Sequence, residues 1–126
     1  MSKFVCKCGE IIRDQKDNLP YKGYLFSDTE LFGLFDKISK DIAEFIQARI
    51  AGKQTEWISD YFGKIYPCTN DEAVVHDIVS AHLISADLDL YQCYKCGRLY
   101  VEHRDNSSRL EIFFPEKSPY RDIFKK

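Results

Sequence analysis

A chain of 126 residues is long enough to bury one core, and 44% apolar side chains, with nine Phe, eight Tyr and one Trp, exclude a disordered polymer. No apolar run approaches the roughly 20 residues of a membrane span, and the opening MSKFVCKCGE lacks the apolar centre of a secretory leader, so a cytoplasmic protein is expected. The formal net charge of −2 is unevenly spread: residues 1–26 sum to +2, residues 27–92, with twelve acidic and five basic side chains, to −7, and residues 93–126 to +3.

Residues 3–13 predict a β-hairpin turning at Lys7-Cys8-Gly9, with Phe4, Val5, Ile11 and Ile12 as apolar flanks. Asn18-Leu19-Pro20 and Lys22-Gly23 read as breakers. Ser27-x-x-Glu30 is a capping box, with Phe26 and Leu31 at the staple positions. Leu31, Leu34, Phe35, Ile38, Ile42, Phe45, Ile46 and Ile50 then keep helical spacing up to Gly52, a face that has to be buried against something.

A shorter helix is expected over Glu56–Phe62, stopped by Gly63. A third starts at Thr69 or Asn70, where Thr69-x-x-Glu72 again fits a capping box, and buries Val74, Val75, Ile78, Val79 and Leu83. Leu88–Cys93, Arg98–His103 and Arg109–Phe114 predict strands, with Asp105-Asn106-Ser107-Ser108 as a turn. Ser118-Pro119 would open a last helical turn reaching Phe124. The expected class is α+β: one domain over 1–126, with β parts at 1–26 and 88–126 and a bundle of about three helices inserted at 27–87.

The chemistry lies in the cysteines. Cys93-x-x-Cys96-Gly97 lets two sulfurs face one point while the glycine takes the tight turn, and Cys6-x-Cys8-Gly9 has the same form with one residue fewer. Together they supply a tetrahedral four-sulfur site, for which Zn²⁺ is the default ion. Five cysteines in a reducing compartment favour metal-bound or free thiols over bridges. Buried free thiols are the plain alternative. A redox CxxC fits less well, since this motif sits in a β-meander and not beside a βαβ unit.

The paired Cys-Gly knuckles resemble a zinc ribbon interrupted by a helical insertion. The likeness covers roughly residues 3–13 and 88–114, and the one-residue gap at Cys6-Lys7-Cys8 departs from the common ribbon pattern. It implies a structural Zn²⁺ held by Cys6, Cys8, Cys93 and Cys96, a closed shell without catalysis, and no particular function, because ribbons serve many kinds of factor. In general character the small acidic chain is also similar to immunity proteins encoded beside bacterial toxins.

Other residues carry plainer expectations. Cys68 reads as an inert thiol, His82 as a core histidine with a satisfied hydrogen bond, and His76 as too far round the same helix to join it on one ion. His103 is a strand-end residue and a reserve ligand. Asp36, Asp41 and Glu44 are spaced to face water, and no phosphate loop, nucleophile elbow or HExxH occurs. The expected function is a non-catalytic zinc-binding protein-protein interaction module whose acidic insertion meets a partner with a basic surface, most concretely a toxin. The alternative is a nucleic-acid- or ribosome-associated regulatory ribbon using Lys95, Arg98, Tyr100 and Arg104.

Overall fold

The computed structural model describes residues 3–67, 70–106 and 108–126. The class is α+β: among the described residues there are three helices and two antiparallel sheets. The chain divides into two compact units, Met1–Leu25 with Asp87–Lys126, and Phe26–Ala86.

In the first unit, β1 (Lys3–Val5) and β2 (Ile11–Arg13) form a hairpin in which Phe4 faces Ile12. The second sheet runs β3 (Lys22–Leu25), β4 (Leu88–Gln92), β5 (Leu99–Glu102) and β6 (Leu110–Phe113), each antiparallel to its neighbour. The hairpin keeps its own two-stranded sheet, and β3 is what joins the meander. Lys22-Gly23, expected as a breaker, is therefore strand. The reason is tertiary: the Phe124 ring lies where a Cβ on Gly23 would be, 2.5 Å from that position, so the glycine marks a close approach and not a turn.

The C-terminal segment also departs from expectation, since residues 118–124 form no helix. Buried Gln92 holds this segment by its backbone instead. Its Nε2 donates to the Arg121 carbonyl at 3.0 Å, and its Oε1 accepts from the Ile123 amide at 3.0 Å. Cys6, Ile12, Tyr91, Cys93 and Tyr100 form the core of this unit.

In the second unit, α1 (Asp28–Ile50) is capped by Ser27, whose Oγ accepts from the Glu30 amide at 3.2 Å. It ends in a Schellman turn at Gly52, φ 72°, with the Lys53 amide on the Ala48 carbonyl and the Gly52 amide on that of Arg49. α2 (Gln54–Phe62) starts two residues earlier than expected and stops at Gly63. α3 (Asp71–Ala86) is capped by Asn70, whose Oδ1 accepts from the Ala73 amide at 2.8 Å. The expected Thr69-x-x-Glu72 box falls partly outside the described residues.

Phe45, Ile58, Val74 and Ile78 make the core of this unit, flanked by stacked pairs Trp57–Tyr61 and Phe62–Tyr66. The apolar face expected for α1 is split. Leu34 and Phe45 are buried and Leu31, Ile38 and Ile42 half-buried, but Phe35, Ile46 and Ile50 are exposed. Those three lie off the centre of the inward stripe, beyond the reach of α2 and α3.

Candidate metal centre

Each knuckle is a turn held by its own backbone. In the first, the Cys6 amide donates to the Glu10 carbonyl and the Gly9 amide to that of Cys6, both at 2.8 Å. In the second, the Cys93 amide donates to the Arg98 carbonyl at 2.9 Å and the Gly97 amide to that of Cys93 at 2.8 Å. Both begin with a cysteine whose amide and carbonyl close the loop, and both need a residue in the left-handed region, Gly9 at φ 97° and Gly97 at φ 82°. The shorter Cys6-x-Cys8 gap is absorbed by a shorter turn of the same design.

The two knuckles bring all four sulfurs together. Cys6 Sγ lies 3.5 Å from Cys96 Sγ and Cys8 Sγ 3.7 Å from Cys93 Sγ, and the four ligand atoms lie within 4.8 Å of one another. Four sulfurs about 2.3 Å from one ion at tetrahedral angles stand about 3.8 Å apart, so the group has the size of such a cage. A disulfide needs about 2.05 Å, so these thiols are free. Cys6 and Cys93 are buried, while Cys8 and Cys96 are half-buried at the rim. The cluster can hold a metal ion.

Two side chains of β5 and its lead-in support the sulfurs. The Tyr100 hydroxyl donates to Cys6 Sγ at 3.1 Å and accepts from the Lys7 amide at 3.0 Å. Arg98 Nη1 donates to Cys96 Sγ at 3.2 Å, and its guanidinium lies 4.4 Å from the centre of the Phe114 ring. Burial pushes the Cys93 thiol up to about 12. Burial works the same way on Cys96 but is outweighed by the backbone and guanidinium hydrogen bonds around Arg98, which bring it down to about 6. Negative charge thus settles at the rim beside Arg98, and a cation at the centre would draw the remaining protons off.

Two residues of the nucleic-acid expectation are turned to the sulfurs. Tyr100 is only 3% exposed and faces sulfur, and Arg98 is engaged with Cys96 and Phe114. Lys95 and Arg104 are exposed. Sequence reasoning missed Arg98 and Tyr100 as sulfur partners, and no local signal marks them, because the turn at Gly97, φ 82°, and the return of the Cys6 knuckle decide what they meet.

His103, the reserve ligand, pairs instead with Glu111 through Nε2 and stands 3.5 Å from Asp105 through Nδ1. His82 has its hydrogen-bond partner in the helical unit, with Nε2 2.6 Å from Asp41 Oδ2. Asp41 therefore does not face water as expected; Tyr61 also donates to it at 2.7 Å. Cys68 lies outside the described residues. Among the described residues, no helix is long and apolar enough to cross a membrane.

A family model with the description "Domain of unknown function (DUF8617)" matches residues 2–121. No curated protein and no solved structure matches the chain.

Proposed function

The chain belongs to the DUF8617 family, whose description names no activity, and from its own geometry we propose that it is a non-catalytic interaction module stabilised by a structural Zn²⁺. The observation that carries this reading is the convergence of Cys6, Cys8, Cys93 and Cys96, two from each knuckle. Four thiolates complete the usual shell of Zn²⁺, leaving no position for water or substrate. Such an ion ties the first hairpin to the β4–β5 hairpin and does no chemistry. The likeness to a zinc ribbon supports the same assignment.

The partner reading rests on charge. Residues 26–86 carry ten acidic and five basic side chains, and Asp28, Asp36, Glu44, Glu56, Asp60, Asp71 and Glu72 are exposed. This surface suits a basic protein through complementary potential. Its most concrete form is an immunity protein that neutralises a basic toxin in the cytoplasm.

Metal analysis of the purified chain tests the first part, with one zinc per chain expected. Affinity capture from the native host tests the second. Recovery of one basic protein, released by high salt, is expected, and recovery of nucleic acid alone overturns it.

A second reading, a nucleic-acid-associated protein, is favoured by one observation. A groove of about 620 Å³ beside β6 is lined by Phe113, Phe114, Lys117 and Arg121, pairing aromatic faces with cations. Salt-dependent binding of a single-stranded oligonucleotide, lost on changing Lys95, Lys117 and Arg121 to Glu, would select it.

A further inference from the structure

β6 is an end strand of the four-stranded sheet, so one side of its backbone has no neighbouring strand. The register decides which groups face that side. The His103 amide donates to the Arg109 carbonyl at 3.0 Å, and in an antiparallel ladder such bonded pairs alternate with unbonded ones. Arg109, Glu111 and Phe113 therefore bond toward β5. Leu110 and Ile112, opposite Glu102 and Tyr100, turn their N–H and C=O groups outward. An open edge of this kind is a template for another extended chain.

Edge strands are commonly guarded by lysine, proline or an unpaired charge. β6 has no such guard. Its one charged residue, Glu111, is paired with His103, and Ile112, Phe113 and Phe114 in succession are 38%, 54% and 65% exposed. Ile112 shares one face of the sheet with Tyr100, and Phe113 shares the other with Leu99. Apolar side chains thus stand open on both faces of a strand whose outer backbone is also free, and an added strand meets all three demands at once.

The charge around the strand's end identifies the kind of chain. One hollow, of about 620 Å³, has Leu99, Phe113, Lys117 and Arg121 in its lining, and a second, of about 370 Å³, has Lys95, Phe114, Lys117 and Tyr120. Successive side chains of a strand point to opposite faces, so one added chain can reach both. Among the described residues no carboxylate lines either hollow, and Lys95, Lys117 and Arg121 form no ion pair. A second copy of β6 is a poorer match, because Arg109–Phe114 brings one cation and one anion. An oligonucleotide would meet the cations but leave the outward groups of Leu110 and Ile112 without strand partners.

We propose that β6 takes up an extended segment of a partner protein, alternately apolar and acidic, as a fifth strand of this sheet. Main-chain bonds to Leu110 and Ile112 hold it, its apolar side chains cover Ile112 and Phe113, and its carboxylates meet Lys95, Lys117 and Arg121. This recognition surface is opposite in charge to that of the helices and distinct from it.

A display library of random peptides of about ten residues, selected against the full chain, tests the proposal. The enriched sequences should alternate apolar residues with Asp or Glu. The best of them, made synthetically, should protect the Ile112 amide from hydrogen exchange and lose tenfold or more in affinity when its acidic residues are replaced by lysine. N-methylation of alternate peptide amides should abolish binding in one phase and spare it in the other, since only every second amide faces β6. That readout leaves the protein unaltered, and Ile112→Pro, which removes an outward donor at a position where an edge strand tolerates proline, should match the damaging phase. Enriched sequences that are basic or patternless, equal loss from both methylation phases, binding that survives Ile112→Pro, association of β6 with a second copy in place of the peptide, or a single-stranded oligonucleotide that displaces it overturns the proposal.

Discussion

The hydroxyl of Tyr100 donates to the sulfur of Cys6 at 3.1 Å, and the Lys7 amide fixes it in place at 3.0 Å. A buried thiolate keeps its charge more readily when a hydrogen bond supports it, and groups of this kind around metal ligands typically govern 10–100-fold in affinity. Tyr100→Phe removes only that oxygen. Zinc affinity measured by chelator competition should fall by about tenfold or more, with the near-native fold retained in saturating zinc. An unchanged affinity would remove the hydroxyl from the metal site's support.

Cys96→Ser tests the ion directly. Structural zinc in small modules supplies roughly 10–16 kcal/mol of apparent binding energy, and a missing thiolate takes away a large part of it. Zinc content and melting temperature should both fall. The helical unit has its own core of Phe45, Ile58, Val74 and Ile78, so much of the far-ultraviolet helix signal should persist. Full zinc retention at an unchanged melting temperature would contradict the four-sulfur assignment.

The two knuckle glycines should respond differently. Gly9 and Gly97 both hold a positive φ, so alanine at either is strained by about 1–2 kcal/mol. Around Gly9 the space for a Cβ is open, whereas at Gly97 a Cβ would lie 2.2 Å from Cγ of Tyr120. Gly97→Ala should therefore lower the melting temperature clearly more than Gly9→Ala. Equal losses would mean that Tyr120 does not pack there.

Asp41, Tyr61 and His82 join the three helices of the second unit, and their titration bounds its stability. Burial alone would raise the Asp41 carboxyl, but hydrogen bonds from Tyr61 and His82 hold it below its ordinary 3.8. A lowered carboxyl stabilises the fold above its unfolded value, and that contribution fades as pH drops through the folded value. On the alkaline side, burial and the bond to Asp41 push Tyr61 from 10.0 up to about 12. A raised phenol stabilises the fold below about pH 10 and loses that contribution as pH climbs through about 12. Asp41→Asn should cost about 1.5–3 kcal/mol in urea unfolding at neutral pH and flatten the acid limb. A cost that stays the same at pH 3 and pH 7 would refute the linkage.

How far the sequence discloses this molecule depends on the range of the forces involved. The knuckles are legible because their cause is local: cysteine spacing, a glycine that must take positive φ, and flanks that alternate. The Ser27 cap and the Gly52 and Gly63 stops are legible for the same reason, since each satisfies backbone groups within a few residues. β3 was not, because Lys22-Gly23 resembles a turn until Phe124, far along the chain, is known to lie against it.

Asp41 was misread by the same limit. Helical spacing places it toward one side of α1 but cannot tell that Tyr61 and His82 wait there. The eight apolar positions of α1 likewise announce a helix that must pack, yet only the positions of α2 and α3 decide that Leu34 and Phe45 are buried while Phe35, Ile46 and Ile50 are left outside.

The amino-acid order by itself determined the α+β class, the Ser27 start and the Gly52 and Gly63 stops, and the four sulfurs, since each follows from spacing that a few neighbouring residues enforce. Tertiary structure alone decided which sulfurs Tyr100 and Arg98 support and which side of α1 remains bare. Those outcomes depend on atoms brought together from distant parts of the chain, and their meeting is governed by packing and not by local preference.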